Sequence, residues 1–402
     1  MRRRIGEQES KAIQHVFQLG LLAHKLNRTL VLPPMWKSRF GTCYRNPFEF
    51  YYQEEAFRYH DIPFISFEAF QEWTSQRATR PTGRAFHILS PAISDNELTT
   101  LQLTNYSAAF YGTPKLLRNT CLLEKTPRLQ LDESLSTIIQ PFDPKWYIKP
   151  GAALGLSHDI IALFAKESRE VLTVTWELRY PVLPVPPGLH VEYSLRWIDL
   201  AQVIASSISP FIAVHWRMET VPVEHMPACA SGLVSSIQSL EHAGSSRTSH
   251  GADKIVFEIS PAATVYLATD YPLRSPGALA HSGTFKHVSE LHHVAMRLLE
   301  AAFKDGGPLF GHKLTSLADE LGRQDSGSLI SYDESDPGLR AILDKLVAIR
   351  ADWFLGGMKD CSRQSSFTDQ IISTRSRVIQ EHEQQKYYSL KNIVDYFSRV
   401  EL

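Results

Sequence analysis

The sequence predicts an α/β protein of two domains, because helical and buried-strand patterns alternate in both halves and a proline-rich stretch separates them. Its 402 residues are 43% hydrophobic and 21% charged, the composition of a globular chain long enough for two domains. Residues 10–26 place apolar side chains at helical spacing, and residues 29–32 form an apolar run closed by Pro33 and Pro34. A helix followed directly by a buried strand is typical of this fold class.

The other elements follow in chain order. The aromatic-rich stretch 36–140 yields only two short strand predictions, at residues 62–67 and 85–89. The pattern then predicts a helix at 157–164 and a strand at 171–176. In the second half the predicted helices are 195–206, 228–240, 289–303, 337–350 and one that opens at Ser365, and the predicted strands are 210–214, 264–268 and 353–355. Residues 241–253 are predicted to form a Gly/Ser loop.

The boundary between the domains is predicted within residues 180–188. Four prolines and Gly188 in this stretch exclude a helix or a central strand. We therefore predict an N-terminal domain at 1–185 and a C-terminal domain at 186–402. In the C-terminal domain polar residues stand at strand ends or at a helix start, which is where ligands of open α/β sheets bind.

Composition excludes several functional classes. The formal net charge is −1, so no basic excess is present to neutralise a nucleic-acid backbone, and no nucleic-acid partner is expected. No run of about 20 apolar residues is present, so no transmembrane span is expected. The four cysteines lie far apart in the sequence and form no C-x-x-C pair, so a zinc site is not expected; they are Cys43, Cys121, Cys229 and Cys361. Their spacing does not indicate whether the protein resides in an oxidising or a reducing compartment.

The first strand of the N-terminal domain is expected to be missing. In an α/β unit a parallel strand precedes the first helix, yet only a few residues stand before residue 10, and a polar stretch follows the basic start where a signal peptide would be apolar. A missing strand would leave a central slot in the sheet and backbone groups in need of partners. Either truncation of the chain or loss of the ancestral function explains this, and truncation would also explain the absent signal peptide.

Common catalytic motifs are absent from the sequence. It contains no G-x-G-x-x-G, no P-loop, no H-E-x-x-H and no G-x-S-x-G, and it has no Asp-x-Asp pair to hold a metal on a nucleotide diphosphate. A set of short blocks stands out instead. They are residues 4–8, 12–17 and 26–34 in the first half, and residues 213–217, 266–270, 352–354 and 365–367, extending to Arg375 or Arg377, in the second.

In their order these blocks resemble the GDP-fucose protein O-fucosyltransferases and their relatives. The resemblance implies two facing Rossmann-like domains (the GT-B arrangement), with the acceptor on the N-terminal side and the nucleotide sugar bound mainly by the C-terminal domain. It implies metal-independent, inverting transfer of fucose from GDP-fucose to a hydroxyl of a protein or glycan, with no cofactor. It also implies residence in the endoplasmic reticulum or Golgi lumen, although the chain shows no signal peptide.

Arg217 is the principal catalytic candidate. Negative charge grows on the departing GDP during transfer, and a metal-free site needs a fixed cation at the β-phosphate. Arginine suits this role because its planar, permanently charged guanidinium can grip a phosphate with two hydrogen bonds. On position alone a surface ion pair at a strand end is the simpler interpretation, and the resemblance favours the catalytic one.

Two further candidates bind the nucleotide by resemblance. His215 lies two residues before Arg217 on a strand, so its side chain points to the same side. The alternative to nucleotide binding is a histidine at a strand end whose hydrogen bonds are made within the protein. Asp270 follows the strand at 264–268 and could accept both N1–H and N2–H of guanine. The alternative for Asp270 is an N-cap of the segment after Pro272.

Ser365, Ser366 and Phe367 open the last predicted helix with a serine at the N-cap position. The free N–H groups of a helix start, with two hydroxyls, could cradle a diphosphate, although capping alone is the commoner role of such serines. Asp352 is interpreted as structural or as a support of the same loop.

The N-terminal turn departs from the family pattern, with Ile5 where the family has Phe and Glu7 where it has Asn. Gly6 is expected to contact the substrate. Glu7 could act as the base toward an acceptor hydroxyl, or its charge could repel GDP, and the sequence leaves both open. A non-catalytic relative that keeps the fold, and a transferase for another sugar nucleotide, are the competing hypotheses.

Overall fold

The computed structural model describes residues 9–36, 39–42, 44–88, 122–139, 154–176, 182–185, 190–219, 221–246, 263–273, 285, 287–324, 336–362, 365–381 and 393–400. Helices and parallel strands alternate in both halves, which confirms the predicted α/β class. The chain forms two compact units, Met1–Ser194 and Leu195–Leu402. The facing Rossmann-like arrangement stays a prediction.

The described part of the N-terminal unit contains four strands of two residues, three longer strands and four α-helices. Its elements are α1 (Glu9–Lys25), β1 (Leu30–Val31), β2 (Met35–Trp36), β3 (Arg39–Phe40), α2 (Glu55–Tyr59), β4 (Phe64–Ile65), α3 (Phe67–Gln76), β5 (Thr82–Ile88), β6 (Gln130–Ile139), α4 (Leu154–Ala165) and β7 (Val171–Trp176). β1 pairs in parallel with β4, and β5 lies between β6 and β7, parallel to both.

The described part of the C-terminal unit forms a five-stranded parallel sheet. Its elements are α5 (Leu195–Ile208), β8 (Phe211–Trp216), α6 (Met226–Ser246), β9 (Thr264–Thr269), α7 (Glu290–Ala302), β10 (Lys313–Thr315), α8 (Leu317–Gln324), α9 (Pro337–Ile349), β11 (Trp353–Gly357), α10 (Ser366–Glu381) and β12 (Ile393–Phe397). The strand order is β10-β9-β8-β11-β12, all parallel. Numbered along the unit, this is 3-2-1-4-5, the order of a doubly wound sheet.

Burial explains why this sheet forms. All six residues of β8 are buried, as expected for a central parallel strand covered on both faces. The core around it combines Trp216, Met226, Leu267 and Leu355 from the sheet and α6. The start of α9 is fixed by Asp336, whose carboxylate accepts hydrogen bonds from the backbone N–H of Gly338 and Leu339.

Most predicted helices and strands are confirmed within a few residues. The predicted loop at 241–253 is wrong at its start, because α6 continues to Ser246; residues 247–253 lie outside the described residues. The sequence analysis predicted no element where the structure has β2, β3, α2, α3, β6, β10, α8 and β12, because the sequence is weakly patterned there. Several of these elements are short, with too few residues to show a periodic pattern.

Two polar residues outside the site hold the sheet together at the start of β11. The Asp352 carboxylate accepts the backbone N–H of Phe211 at 2.9 Å, which ties β11 to β8 and confirms the structural interpretation of Asp352. Arg375, on α10, is fully buried and donates to four backbone oxygens, those of Ala348, Ile349, Ala351 and Asp352. Burial lowers the pKa of Arg375 to about 10, and it stays charged at neutral pH.

Across the described helices, none is long and apolar enough to cross a membrane.

Candidate functional site

The candidate site lies at the C-terminal ends of β8, β9 and β11 in the C-terminal unit. β8 is the first strand of the sheet and lies between the second strand, β9, and the fourth, β11, so the strand order reverses beside it. In open α/β sheets the loops diverge at such a reversal and leave a crevice for a ligand. Arg217 follows β8, Asp270 follows β9, and Ser365 follows β11, so the structure places all three at this edge.

The backbone after β8 is held from both sides. The Arg217 N–H donates to the Ser362 hydroxyl at 3.2 Å, in the loop after β11. On the opposite side the N–H groups of Met218 and Glu219 donate to the two carboxylate oxygens of Asp270 at 2.9 and 3.1 Å. The loop that carries Arg217 is therefore preorganised by its neighbours on both adjoining strands.

The guanidinium of Arg217 forms an ion pair with the carboxylate of Glu219, two residues further along the loop. The two side chains are 16% and 6% exposed, so the pair is largely shielded from water. Sequence reasoning missed Glu219. A phosphate that binds Arg217 has to compete with this carboxylate or bind beside it.

Asp270 is a support for the Arg217 loop. Burial raises its pKa to about 6, while its two backbone hydrogen bonds act in the opposite direction. The carboxylate of Asp270 bonds to backbone N–H groups in the loop after β8. This role differs from the alternative, an N-cap of the segment after Pro272. Recognition of guanine by Asp270 stays a prediction.

His215 is buried beneath the start of α10. Its Nδ1 lies 2.9 Å from the Thr368 hydroxyl, and its ring packs on Phe367 with the ring centroids 4.7 Å apart. Burial, and secondarily the charge of Arg217, lower the pKa of His215 to about 3. The imidazole is therefore neutral at physiological pH and cannot act there as a cationic acid.

Ser365 caps α10, as the sequence predicted. Its Oγ accepts the backbone N–H of Thr368 at 3.2 Å and lies 3.0 Å from the Thr368 hydroxyl, so this serine is buried and engaged with the helix. Ser366 and Phe367 are half-buried. The N–H groups of a first helical turn have no carbonyl one turn earlier, which leaves a helix start able to bind an anion.

A disulfide between Cys229 and Cys361 ties α6 to the loop after β11, with the two Cα atoms 5.4 Å apart. Trp216 donates its indole N–H to the carbonyl of Cys361 at 3.0 Å, so the crosslinked loop also contacts the end of β8. The sequence did not predict this pairing, because the two cysteines lie 132 positions apart in the chain. Cys43 and Cys121 lie outside the described residues.

Glu7 and Gly6 lie outside the described residues, and their predicted roles stay predictions. Close by in sequence, Glu9 begins α1 and is buried. Its carboxylate accepts hydrogen bonds from the hydroxyls of Tyr52, at 2.6 Å, and Tyr193, at 2.9 Å. Burial and the nearby Glu9 charge raise the pKa of both tyrosines, which stay neutral donors.

In the part of the chain that the structure describes, no group of three or more His, Cys, Asp or Glu side chains is arranged to hold a metal ion.

No protein-family model matches the sequence, and neither does any curated protein. Among solved structures the chain is similar to POFUT1, a GDP-fucose O-fucosyltransferase. For its complex with GDP the TM-score is 0.44 at 12% identity, covering 95% of this chain and 93% of that one. For its complex with GDP-fucose the TM-score is 0.44 at 13% identity, and the match covers 95% of this chain and 92% of that one. For the apo form the TM-score is 0.42 at 13% identity, and the match covers 98% of this chain and 95% of that one.

The aligned regions span nearly the whole of both chains, but the TM-scores are below 0.5 and the identities are 12–13%. Activity, donor and site residues of this chain have to be argued from its own residues.

Proposed function

We propose that the chain is a glycosyltransferase that transfers fucose from GDP-fucose to a hydroxyl of a protein or glycan, with inversion and without a metal. The observation that carries the proposal is the position of Arg217 beside the strand-order reversal, with its backbone bonded to the loop that leads into α10. A fixed cation and a helix start at one sheet edge form a site for a diphosphate.

The proposed reaction requires charge stabilisation at the leaving group. The acceptor oxygen attacks C1 of fucose, the bond between C1 and the β-phosphate oxygen breaks, and GDP departs with the electron pair. Arg217 stabilises the charge on that phosphate, and the N-terminus of α10 adds N–H groups. The acceptor proton goes to a base, for which Glu7 is the candidate by sequence.

The neutral state of His215 restricts its part in this scheme. Because its pKa is about 3, it neither adds a positive charge for the phosphate nor protonates the leaving group. Its contacts with Thr368 and Phe367 instead fix the first turn of α10 against β8. We assign it to positioning of the nucleotide-binding helix start.

The proposed donor, GDP-fucose, and the proposed compartment are supported by the sequence blocks and by one structural feature. The blocks resemble enzymes that use GDP-fucose, and Asp270 is the proposed guanine contact. The Cys229–Cys361 disulfide is typical of oxidising compartments, which agrees with the proposed lumen of the endoplasmic reticulum or Golgi.

Calorimetry and a hydrolysis assay test this function. We expect GDP to bind more tightly than UDP, and GDP-fucose to be cleaved slowly to GDP and fucose with water as acceptor. Arg217→Lys keeps the positive charge but loses the planar grip, and we expect cleavage to fall about 10²–10³-fold. Arg297→Lys is the matched control, because Arg297 is an exposed arginine in an ion pair with Glu290. Equal affinity for GDP and UDP would contradict the guanine assignment.

A second candidate function is nucleotide binding without transfer. The Arg217–Glu219 ion pair favours it, because the carboxylate of Glu219 already neutralises the guanidinium that is proposed to act in catalysis. This candidate predicts GDP binding without detectable cleavage of GDP-fucose.

A further inference from the structure

Lys345 is a lysine in the interior of the C-terminal unit. It lies on α9, and only 1% of the residue is exposed. Burial of an ammonium group is costly because the group loses its contact with water, and lysine is rarely buried to this extent. Methionine has a similar length and would fill the same space without that cost. Packing alone therefore does not explain a lysine at this position.

The ammonium group of Lys345 lies against the start of α10. Its Nζ donates a hydrogen bond to the side-chain oxygen Oε1 of Gln370 at 2.5 Å. The same Nζ lies 5.3 Å from the centroid of the Phe367 ring, within the range of a cation–π contact. Because α10 begins at Ser366, both contacts belong to the opening turns of this helix.

The opening turn of α10 connects Lys345 to the candidate site. The ring of Phe367 packs on the ring of His215, whose Nδ1 lies 2.9 Å from the hydroxyl of Thr368. The backbone N–H of Thr368 in turn donates to the hydroxyl of Ser365. Lys345 therefore supports the same helical turn whose N–H groups are proposed to bind the diphosphate.

The charge of Lys345 acts in a region shielded from water. A helix N-terminus carries a partial positive charge, so a cation beside it is disfavoured in the empty site and favoured once an anion binds. The lower effective dielectric constant of the interior strengthens this interaction. His215, which packs on the same ring, adds no charge at physiological pH, because burial lowers its pKa to about 3. The ammonium group therefore makes the helix start a stronger site for an anion.

From these observations we infer that Lys345 is a positioning residue for the diphosphate: its buried ammonium group fixes the opening turn of α10 and strengthens that turn as an anion site. The inference rests on the proposed function, because the anion is the diphosphate of the proposed donor. It adds a residue that acts through α10.

Calorimetry on Lys345→Met with GDP and with GMP tests the inference. Methionine keeps the length of the side chain and removes its charge. GDP carries more negative charge than GMP, so the variant should bind GDP about tenfold and GMP about threefold more weakly. The preference for GDP over GMP should therefore shrink. Equal losses for both nucleotides would show a purely structural role and overturn the inference, as would unchanged affinities.

Lys304→Met is the matched control, because it removes the same charge from an exposed position of the C-terminal unit. At about 0.15 M salt, exposed charges are screened beyond about 8 Å, so this variant should bind both nucleotides as the wild type does. A similar loss of preference in Lys304→Met would show a general effect of net charge and would overturn the inference. Thermal denaturation shows whether each variant is folded.

A second variant neutralises the charge while Lys345 stays in place. Gln370→Glu puts a carboxylate of nearly the same shape against the ammonium group, and the preference for GDP over GMP should shrink again. Ser373→Glu is its control, because it adds a carboxylate at an exposed position of the same helix; it should bind as the wild type does. If Lys345→Met fails to fold, this pair decides, and an unchanged preference in Gln370→Glu overturns the inference.

The wild type separates this inference from the proposed function. If the wild type does not bind GDP, the proposed function fails and the inference fails with it. If the wild type binds GDP and neither Lys345→Met nor Gln370→Glu changes the preference for GDP over GMP, the inference alone fails.

Discussion

The backbone N–H of Arg217 donates to the hydroxyl of Ser362 at 3.2 Å, which joins the loop after β8 to the loop after β11. These are the two loops at the point where the strand order of the C-terminal sheet reverses. Ser362 is buried, and the preceding residue, Cys361, is crosslinked to Cys229. The position of the proposed phosphate-binding arginine thus depends on a covalently anchored neighbour.

Replacement of Glu219 by glutamine should strengthen GDP binding. Glu219→Gln removes a negative charge that pairs with Arg217, so the guanidinium becomes available and the repulsion of the diphosphate falls. We expect about a tenfold lower dissociation constant in calorimetry at low salt. Glu290→Gln, which removes an exposed carboxylate that pairs with Arg297, is the control and should leave the affinity unchanged. Unchanged or weaker GDP binding in Glu219→Gln would show that Arg217 does not bind phosphate.

His215 should make stability depend on pH in the acidic range. Its pKa is about 3 in the folded protein and near 6.5 when unfolded, so the unfolded chain binds the proton first and stability is lost as pH falls from 6.5 toward 3. Between pH 6.5 and 4 this amounts to about 3 kcal/mol. His215→Asn keeps a partner for Thr368 and does not titrate.

Urea denaturation across this pH range measures the effect. The difference in unfolding free energy between the wild type and His215→Asn should shrink steadily toward pH 4. Asp270, whose raised pKa of about 6 gives the opposite slope, is present in both proteins and cancels in the difference. A difference that stays constant with pH would refute the assignment.

Loss of the Cys229–Cys361 disulfide should weaken both stability and GDP binding. We expect Cys229→Ser/Cys361→Ser to lose about 2–4 kcal/mol of unfolding free energy, because the crosslink restricts the unfolded chain. The affinity for GDP should fall because the loop that holds Arg217 is no longer anchored.

A reducing agent provides the matched comparison for the disulfide. Reduction should bring the wild type close to the double variant and leave the double variant itself unaffected. Full stability of the reduced wild type would show that the crosslink contributes nothing.

Gly232 should not tolerate a side chain. A Cβ at this position of α6 would lie 1.7 Å from the carbonyl oxygen of Ser398, so the segment after β12 would have to move. We expect Gly232→Ala to destabilise the protein by about 1–3 kcal/mol despite the higher helix propensity of alanine. Ser235→Ala, at an exposed position of the same helix, is the control for thermal denaturation and should change little. Wild-type stability of Gly232→Ala would contradict the close packing of α6 on this segment.

The parts of the candidate site that depend on adjacent residues could be predicted from the sequence. The apolar run that ends at His215 and Arg217, and the serine that caps α10, follow from burial and capping preferences of adjacent residues. The pairing of Cys229 with Cys361 did not follow, because only the folded chain brings residues so far apart in sequence together. Glu219 was missed for a related reason, since its contact with Arg217 depends on a turn that Asp270 shapes from another strand.

The buried guanidinium of Arg375 has a consequence for the order of assembly. It binds four consecutive or nearly consecutive carbonyls where α9 ends and β11 begins, although it belongs to α10, further along the chain. Strand β11 therefore reaches its final environment only after α10, the helix that follows it, has docked. During synthesis we therefore expect α9, β11 and α10 to reach their folded arrangement together. In a ribosome-bound chain that stops before Arg375, the segment between α9 and β11 should remain sensitive to protease.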